Sequence, residues 1–184
     1  LVAALRPWRF VRCGGTWRDV ALGVLVGLAV YVLWAWPECV PWDGVTAWYR
    51  RWLVMPIGGM PDYAASWCYA WDRSPALAAA KLVGSAFVIA PIEEFFFRGC
   101  LMRWLSQRDW QGLPLAAVGR QAFWATAIVF AFEHDRFVAG LLAGLAYGGL
   151  AVRTNSLRAP IAAHVTTNLI LGLHVLLADA YHFW

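Results

Sequence analysis

Apolar residues gather in five long runs along this chain, separated by short polar intervals or by Pro and Gly. The first covers residues 20–36, carries no charge and ends at Pro37. The others cover residues 75–97, 115–132, 137–152 and 159–180. Runs of this length predict helices that cross a hydrocarbon layer, which needs about 20 residues. Between the first and second runs the pattern changes. Pro41, Pro56, Gly58, Gly59 and Pro61 break residues 38–73, and Trp42, Trp48, Trp52, Trp67 and Trp71 alternate with polar residues. That segment reads as extramembrane and partly interfacial, with a short amphipathic helix around residues 45–55. The fourth run is rich in small residues (Ala139, Gly140, Ala143, Gly144, Gly148, Gly149), which let membrane helices approach closely. The expected fold is all-α: a polytopic transmembrane helix bundle of about five spans plus interfacial helices, forming one membrane-embedded domain over residues 1–184.

Composition agrees with this pattern. The chain is 61% hydrophobic and 14% charged, against about 45–50% and 25% for soluble domains. Its 13 Trp suit a membrane–water interface. The formal net charge of +4 comes from short Arg clusters rather than from a continuous basic face, so nucleic acid is not an expected partner. Arg6, Arg9, Arg12 and Arg18 precede the first run. Arg98, Arg103 and Arg108 follow the second, and Arg153 and Arg158 follow the fourth. Five spans place all these clusters on one side, which is read as cytoplasmic, with Arg50, Arg51, Arg73 and Arg136 opposite. The first run is longer than a signal-peptide core and lacks a cleavage site, so it is read as a retained span. Cys13, Cys39, Cys68 and Cys100 show no zinc-ligand spacing. Cys39 and Cys68 share a predicted loop, where they either pair in an oxidising compartment or remain free thiols.

Ionisable groups inside apolar spans are costly and are functional candidates by default. Glu93, Glu94 and Arg98 stand near the end of the second run. Glu94 and Arg98 are four residues apart on one helix face, in the favourable order for an ion pair. Glu93 lies about 100° around the helix without that partner. A carboxylate left unpaired in low-dielectric surroundings is the stronger base when ionised, so Glu93 is the candidate for activating water and Glu94–Arg98 for structural support. His134 closes the third run, where a helix-end cap is the plain alternative. His164 and Asn168 share one face of the fifth run, where a packing hydrogen bond is the plain alternative. His174 and His182 are out of phase or terminal and read as structural. Glu, two His and Asn together can form a hydrolytic site: a base for water, a donor to the leaving amine, and donors to an oxyanion.

The ordered set Glu93-Glu94-x-x-x-Arg98, Phe130-x-x-x-His134 and His164-x-x-x-Asn168 on successive membrane helices resembles the CAAX-protease and bacteriocin-processing family of intramembrane proteases. Phe97-Arg98-Gly99 and the run Ser156, Leu157, Pro160, Ile161 carry the same resemblance, which covers residues 75–175. It implies an intramembrane endopeptidase in the inner (plasma) membrane of a bacterial cell, acting on a membrane peptide or protein within the lipid bilayer. It assigns Glu93 to water activation, His134 to the catalytic partner, and His164 with Asn168 to the oxyanion. Neither a metal nor another cofactor is expected, since Asn is a poor zinc ligand and no HExxH occurs. Some bacterial members resemble enzymes that trim C-terminal sorting tails, and the Trp-rich segment 38–73 is a candidate dock for such a tail. Two other readings stand beside this one: a non-catalytic family member acting as immunity factor or scaffold, and a small transporter or proton relay using the same ionisable groups. A depth problem accompanies the assignment. With ideal perpendicular spans, Glu93 and His134 would sit roughly 20 Å apart across the membrane.

Overall fold

A computed structural model of the chain describes residues 15–53 and 74–183, and it is helical throughout them. Helix α1 is Trp17–Cys39, and the interfacial helix α2 is Asp43–Leu53. One continuous helix, α3, runs over Pro75–Ser106. After the single turn Leu115–Ala117 come α4 (Arg120–Phe132), α5 (Phe137–Thr154) and α6 (Arg158–Ala178), then a last turn at Tyr181–Phe183. Helix α2 matches the expected amphipathic segment within two residues at its start. Met55 and the rest of residues 54–73, including Cys68, lie outside the described residues, as does Cys13.

The packing is that of a membrane bundle. Large apolar side chains such as Leu25, Val32, Phe87, Ile92, Phe96, Ile128 and Leu173 face outward. Small residues such as Ala86, Ala90, Ala131, Ala151 and Ala163 fill the centre. Between lipid-facing helices the attraction comes from close van der Waals contact, and small residues make that contact possible. Gly23 and Gly27 show it most clearly. A Cβ at either would fall under 3.0 Å from a backbone carbonyl of α6, that of Ala159 or Ala163 respectively. This pair, a Gly-x-x-x-Gly stripe, locks α1 to α6.

Cross-links mark two ends of the bundle. At one end Arg158 donates to the Gly15 carbonyl at 3.0 Å, Ala116 N–H to Asn155 Oδ1 at 3.1 Å, and Gly119 N–H to Ser106 Oγ at 3.1 Å. At the other, the buried Glu38 carboxylate accepts Arg136 Nε at 2.5 Å and Arg50 Nε at 3.0 Å. The helices α1, α4, α5 and α6 alternate between these ends, and α3 finishes at the first.

Two boundaries differ from the sequence expectation. Past Phe97 the helix continues to Ser106, as a surface continuation through residues 100–105 would have it, but Arg103 on that stretch is buried rather than in water, and α3 has wider π turns at Ser85–Ile89 and Phe95–Leu101. Pro91 has no N–H for an ordinary helical bond, and a widened turn absorbs such a defect. The third expected span is shorter than its apolar run. Pro114 and Gly119 are both extended, so the regular helix starts only at Arg120 and has 13 residues. It rises about 20 Å, less than the ~30 Å hydrocarbon core. Among the described residues four helices are long and apolar enough to cross a membrane, and α4 is not one of them.

Candidate active site

Glu93 and Glu94 occupy a short α-helical stretch of α3 between its two π turns. Glu94 and Arg98 are fully buried, and Arg98 Nη1 donates to Glu94 Oε1 at 2.9 Å. Arg98 Nη2 donates to the Gly144 carbonyl of α5 at 3.1 Å, and its guanidinium lies 4.4 Å from the centre of the Phe130 ring. Gly144 also lets α4 pack closely on α5, since a Cβ there would press on Ala127 and Phe130. Removing one member of such a buried pair costs about 3–5 kcal/mol, because the other charge is left unmatched.

The same Glu94 oxygen accepts the Nδ1–H of His164 at 2.9 Å. With Nδ1 occupied by the carboxylate, the second ring nitrogen is the reactive one. His164 Nε2 faces Glu93 Oε2 at 3.8 Å. That Glu93 oxygen is buried and has no hydrogen-bond partner among the described residues. Tyr147 stacks on the His164 ring with centroids 5.0 Å apart. Its hydroxyl donates to Thr167 Oγ1 at 2.7 Å, and Thr167 donates to the Gly27 carbonyl at 2.9 Å. Helices α1, α5 and α6 thus join through one chain of hydroxyls next to His164.

His134 follows α4. Its Nδ1–H donates to the Phe130 carbonyl at 2.8 Å, which leaves Nε2 as its free nitrogen. The Phe130 ring touches both histidines, with centroids 4.6 Å from His134 and 5.8 Å from His164. Asn168 donates one amide hydrogen to the Ser85 carbonyl at 3.1 Å, in the first π turn of α3. His134, His164 and Asn168 line one cavity of about 230 Å³, together with Ser85, Tyr147 and Thr167.

Every site residue expected from the sequence therefore lies in one neighbourhood, through two kinds of contact. Glu94, Arg98 and His164 bond directly. His134, His164 and Asn168 share the cavity wall, and Glu93 does not line it but stands against His164. The depth separation expected of ideal spans is not found: His134 shares the cavity wall with His164, whose ring faces Glu93, and α4 with 13 residues is shorter than a full span. Sequence reasoning gave no role to Tyr147 or Thr167. The available signal was a lone Tyr in a Gly- and Ala-rich run, where small neighbours let a large polar ring sit at the centre. His174 is engaged elsewhere, with Tyr31 at 2.9 Å, and His182 lies 3.7 Å from Glu38. The Cys39 thiol is 3.9 Å from His174 Nε2. Among the described residues no group of three His, Cys, Asp or Glu side chains is placed to hold a metal ion.

A helical bundle with an apolar outer surface and buried carboxylate, guanidinium and imidazole groups at its centre defines a multi-pass membrane protein with an internal polar site. The family model described as type II CAAX prenyl endopeptidase Rce1-like matches residues 75–170, more than half of the chain. The chain belongs to that family, and membership supports a protease, a hydrolase of peptide bonds. Glu93, Glu94, Arg98, His134, His164 and Asn168 all fall inside the matched segment. No curated protein and no solved structure matches the chain.

Proposed function

We propose that the chain is an intramembrane endopeptidase that cleaves a membrane-associated peptide with water activated by Glu93. The observation that carries this reading is the buried Glu93 Oε2, without a hydrogen-bond partner among the described residues and 3.8 Å from His164 Nε2. A water bonded to both atoms would be polarised by the carboxylate. Glu93 takes its proton as the oxygen attacks the scissile carbonyl carbon. The resulting oxyanion accepts from the second amide hydrogen of Asn168 and from His164 Nε2–H when the ring is an imidazolium. Collapse breaks the C–N bond, and the leaving amine takes the proton that Glu93 removed from water, while His134 Nε2, unprotonated because Nδ1–H is held by the Phe130 carbonyl, accepts a hydrogen bond from the amine. Glu94 and Arg98 act through His164, by fixing its ring.

Arg18, Arg108, Arg120, Arg153 and Arg158 belong to the end of the bundle where α3 finishes. By the positive-inside tendency this end is cytoplasmic, in the plasma membrane of a bacterial cell on our reading. The test is cleavage of membrane peptides by purified protein in liposomes, comparing wild type with Glu93→Gln, with and without a strong chelator. Cleavage that survives chelation and is lost in Glu93→Gln supports the proposal. Cleavage lost to chelator and restored by zinc assigns the water to a metal instead. Equal cleavage by Glu93→Gln removes Glu93 from the role of base.

A further inference from the structure

The cavity beside the histidines has a wall of two chemistries. His134, His164 and Asn168 supply polar groups, whereas Trp34, Leu171 and Phe183, with Phe130 and Ala143 beside the histidines, supply apolar surface. The two sets differ in origin. The polar set, Phe130 and Ala143 lie within the family-matched residues 75–170, whereas Trp34 on α1 and Phe183 in the last turn lie well outside it and Leu171 on α6 lies one residue beyond it. The apolar wall is also held in place. The Phe183 ring lies 4.4 Å from the guanidinium of Arg136, which donates to the neighbouring His182 carbonyl at 3.1 Å and to Glu38. Trp34 meets the His134 ring edge-on, with centroids 5.3 Å apart.

We propose that Trp34, Leu171 and Phe183 form a subsite for one large apolar side chain of the substrate, beside the bond that is cut. This rests on the protease reading given above. Size selects the occupant. An engineered cavity of about 150 Å³ binds benzene, so by proportion one of about 230 Å³ holds roughly nine carbon atoms. Leucine and phenylalanine side chains fit within that limit. A farnesyl group of about fifteen carbons exceeds that volume and would have to extend out of the open side of the cavity. A side chain seated against Trp34 places its own backbone next to His134, where the polar wall meets a peptide carbonyl or amide. Trp34 and Phe183 then contribute to selectivity from outside the family-matched segment, while the reactive groups lie inside it.

The test uses the full chain in liposomes and an apolar, membrane-associated test peptide in which a diazirine-bearing leucine analogue is moved through each position. Binding is read in the Glu93→Gln protein by photo-crosslinking and peptide mapping, and cleavage separately in wild type. Crosslinks to Trp34, Leu171 or Phe183 from one position of the peptide support the subsite. In wild type, Phe183→Ala is then expected to raise kcat/KM for a larger aromatic at that position relative to leucine by about tenfold or more. Crosslinks confined to outward-facing residues such as Phe87 or Ile92 overturn it. Crosslinks at the wall without cleavage sink the protease reading and leave the subsite standing. Cleavage without crosslinks at the wall does the reverse.

Discussion

Replacing Gly27 by alanine tests whether contact between α1 and α6 holds the site together. A Cβ at this position would fall under 3.0 Å from the Ala163 carbonyl oxygen and 2.8 Å from Thr166 Cβ. Backbone cannot swing aside as a flexible side chain can, so the helices must part by roughly half an ångström or more to reach ordinary contact. Overpacking of this kind costs about 1–3 kcal/mol. Stretching the Thr167 hydrogen bond to the Gly27 carbonyl removes up to about 1 kcal/mol more. The better helix propensity of alanine returns about 1 kcal/mol. The expected net loss is about 0–3 kcal/mol, set against a gain of up to about 1 kcal/mol where alanine meets nothing. Gly149→Ala is the control. It gains the same propensity and meets nothing within 4 Å, so it should be neutral or more stable than wild type. Denaturant-induced unfolding in micelles, followed by near-ultraviolet circular dichroism, measures both. Because Ala163 immediately precedes His164, cleavage activity should fall with stability in Gly27→Ala and not in Gly149→Ala. Equal stability of Gly27→Ala and Gly149→Ala would refute the reasoning, since both would then report propensity alone.

Three further outcomes follow from the site and its surroundings. Arg98→Met leaves Glu94 buried without its cation and should cost about 3–5 kcal/mol, whereas the paired change Arg98→Met with Glu94→Gln should recover part of it; unfolding titrations of the three proteins check this. Tyr147→Phe keeps the ring stacked on His164 and removes one hydrogen bond to Thr167, so a loss of about 1 kcal/mol is expected, and a loss above about 3 kcal/mol contradicts the described network. Burial pushes the His182 imidazole below its ordinary 6.5; nearby Glu38 opposes this, and Arg136, Arg50 and His174 add to it. The folded chain therefore binds this proton less readily than the unfolded one, so His182 lowers stability as pH falls through 6.5 toward its folded value. His182→Gln should flatten that part of the stability curve, and an unchanged slope would remove His182 as its source.

Much of the site was legible because charge inside an apolar run has few places to go. Glu94 and Arg98 could be paired from spacing alone, and the ion pair is present at 2.9 Å. His164 and Asn168 could be placed on one face, and both line the same cavity. Hydrophobicity was a poorer guide to helix ends. Residues 115–119 are as apolar as a span requires, yet Pro114 and Gly119 take extended backbone that no hydropathy pattern registers. Arg98 and Arg103 marked the end of the second span, with any helical continuation on the surface and Arg103 in water, because exposed Arg belongs at an interface. Both prove to be buried, and Arg103 is absorbed by the carbonyls of Gly99, Gln111 and Leu113. The tight stripe of Gly23 and Gly27 was written in the first run, but its partner on α6 depends on how the helices pair, which one helix cannot specify.

The shortness of α4 reaches beyond the protein itself. Its outward face, with Trp124, Ile128, Val129 and Phe132, offers lipid an apolar strip far less tall than those of its neighbours. Acyl chains beside that strip must shorten or splay to cover it, so the bilayer is pinched along one flank of the bundle. Thinned lipid there lowers the work of drawing a polar backbone sideways out of the membrane, and the pinch lies on the flank of the helix that leads into His134.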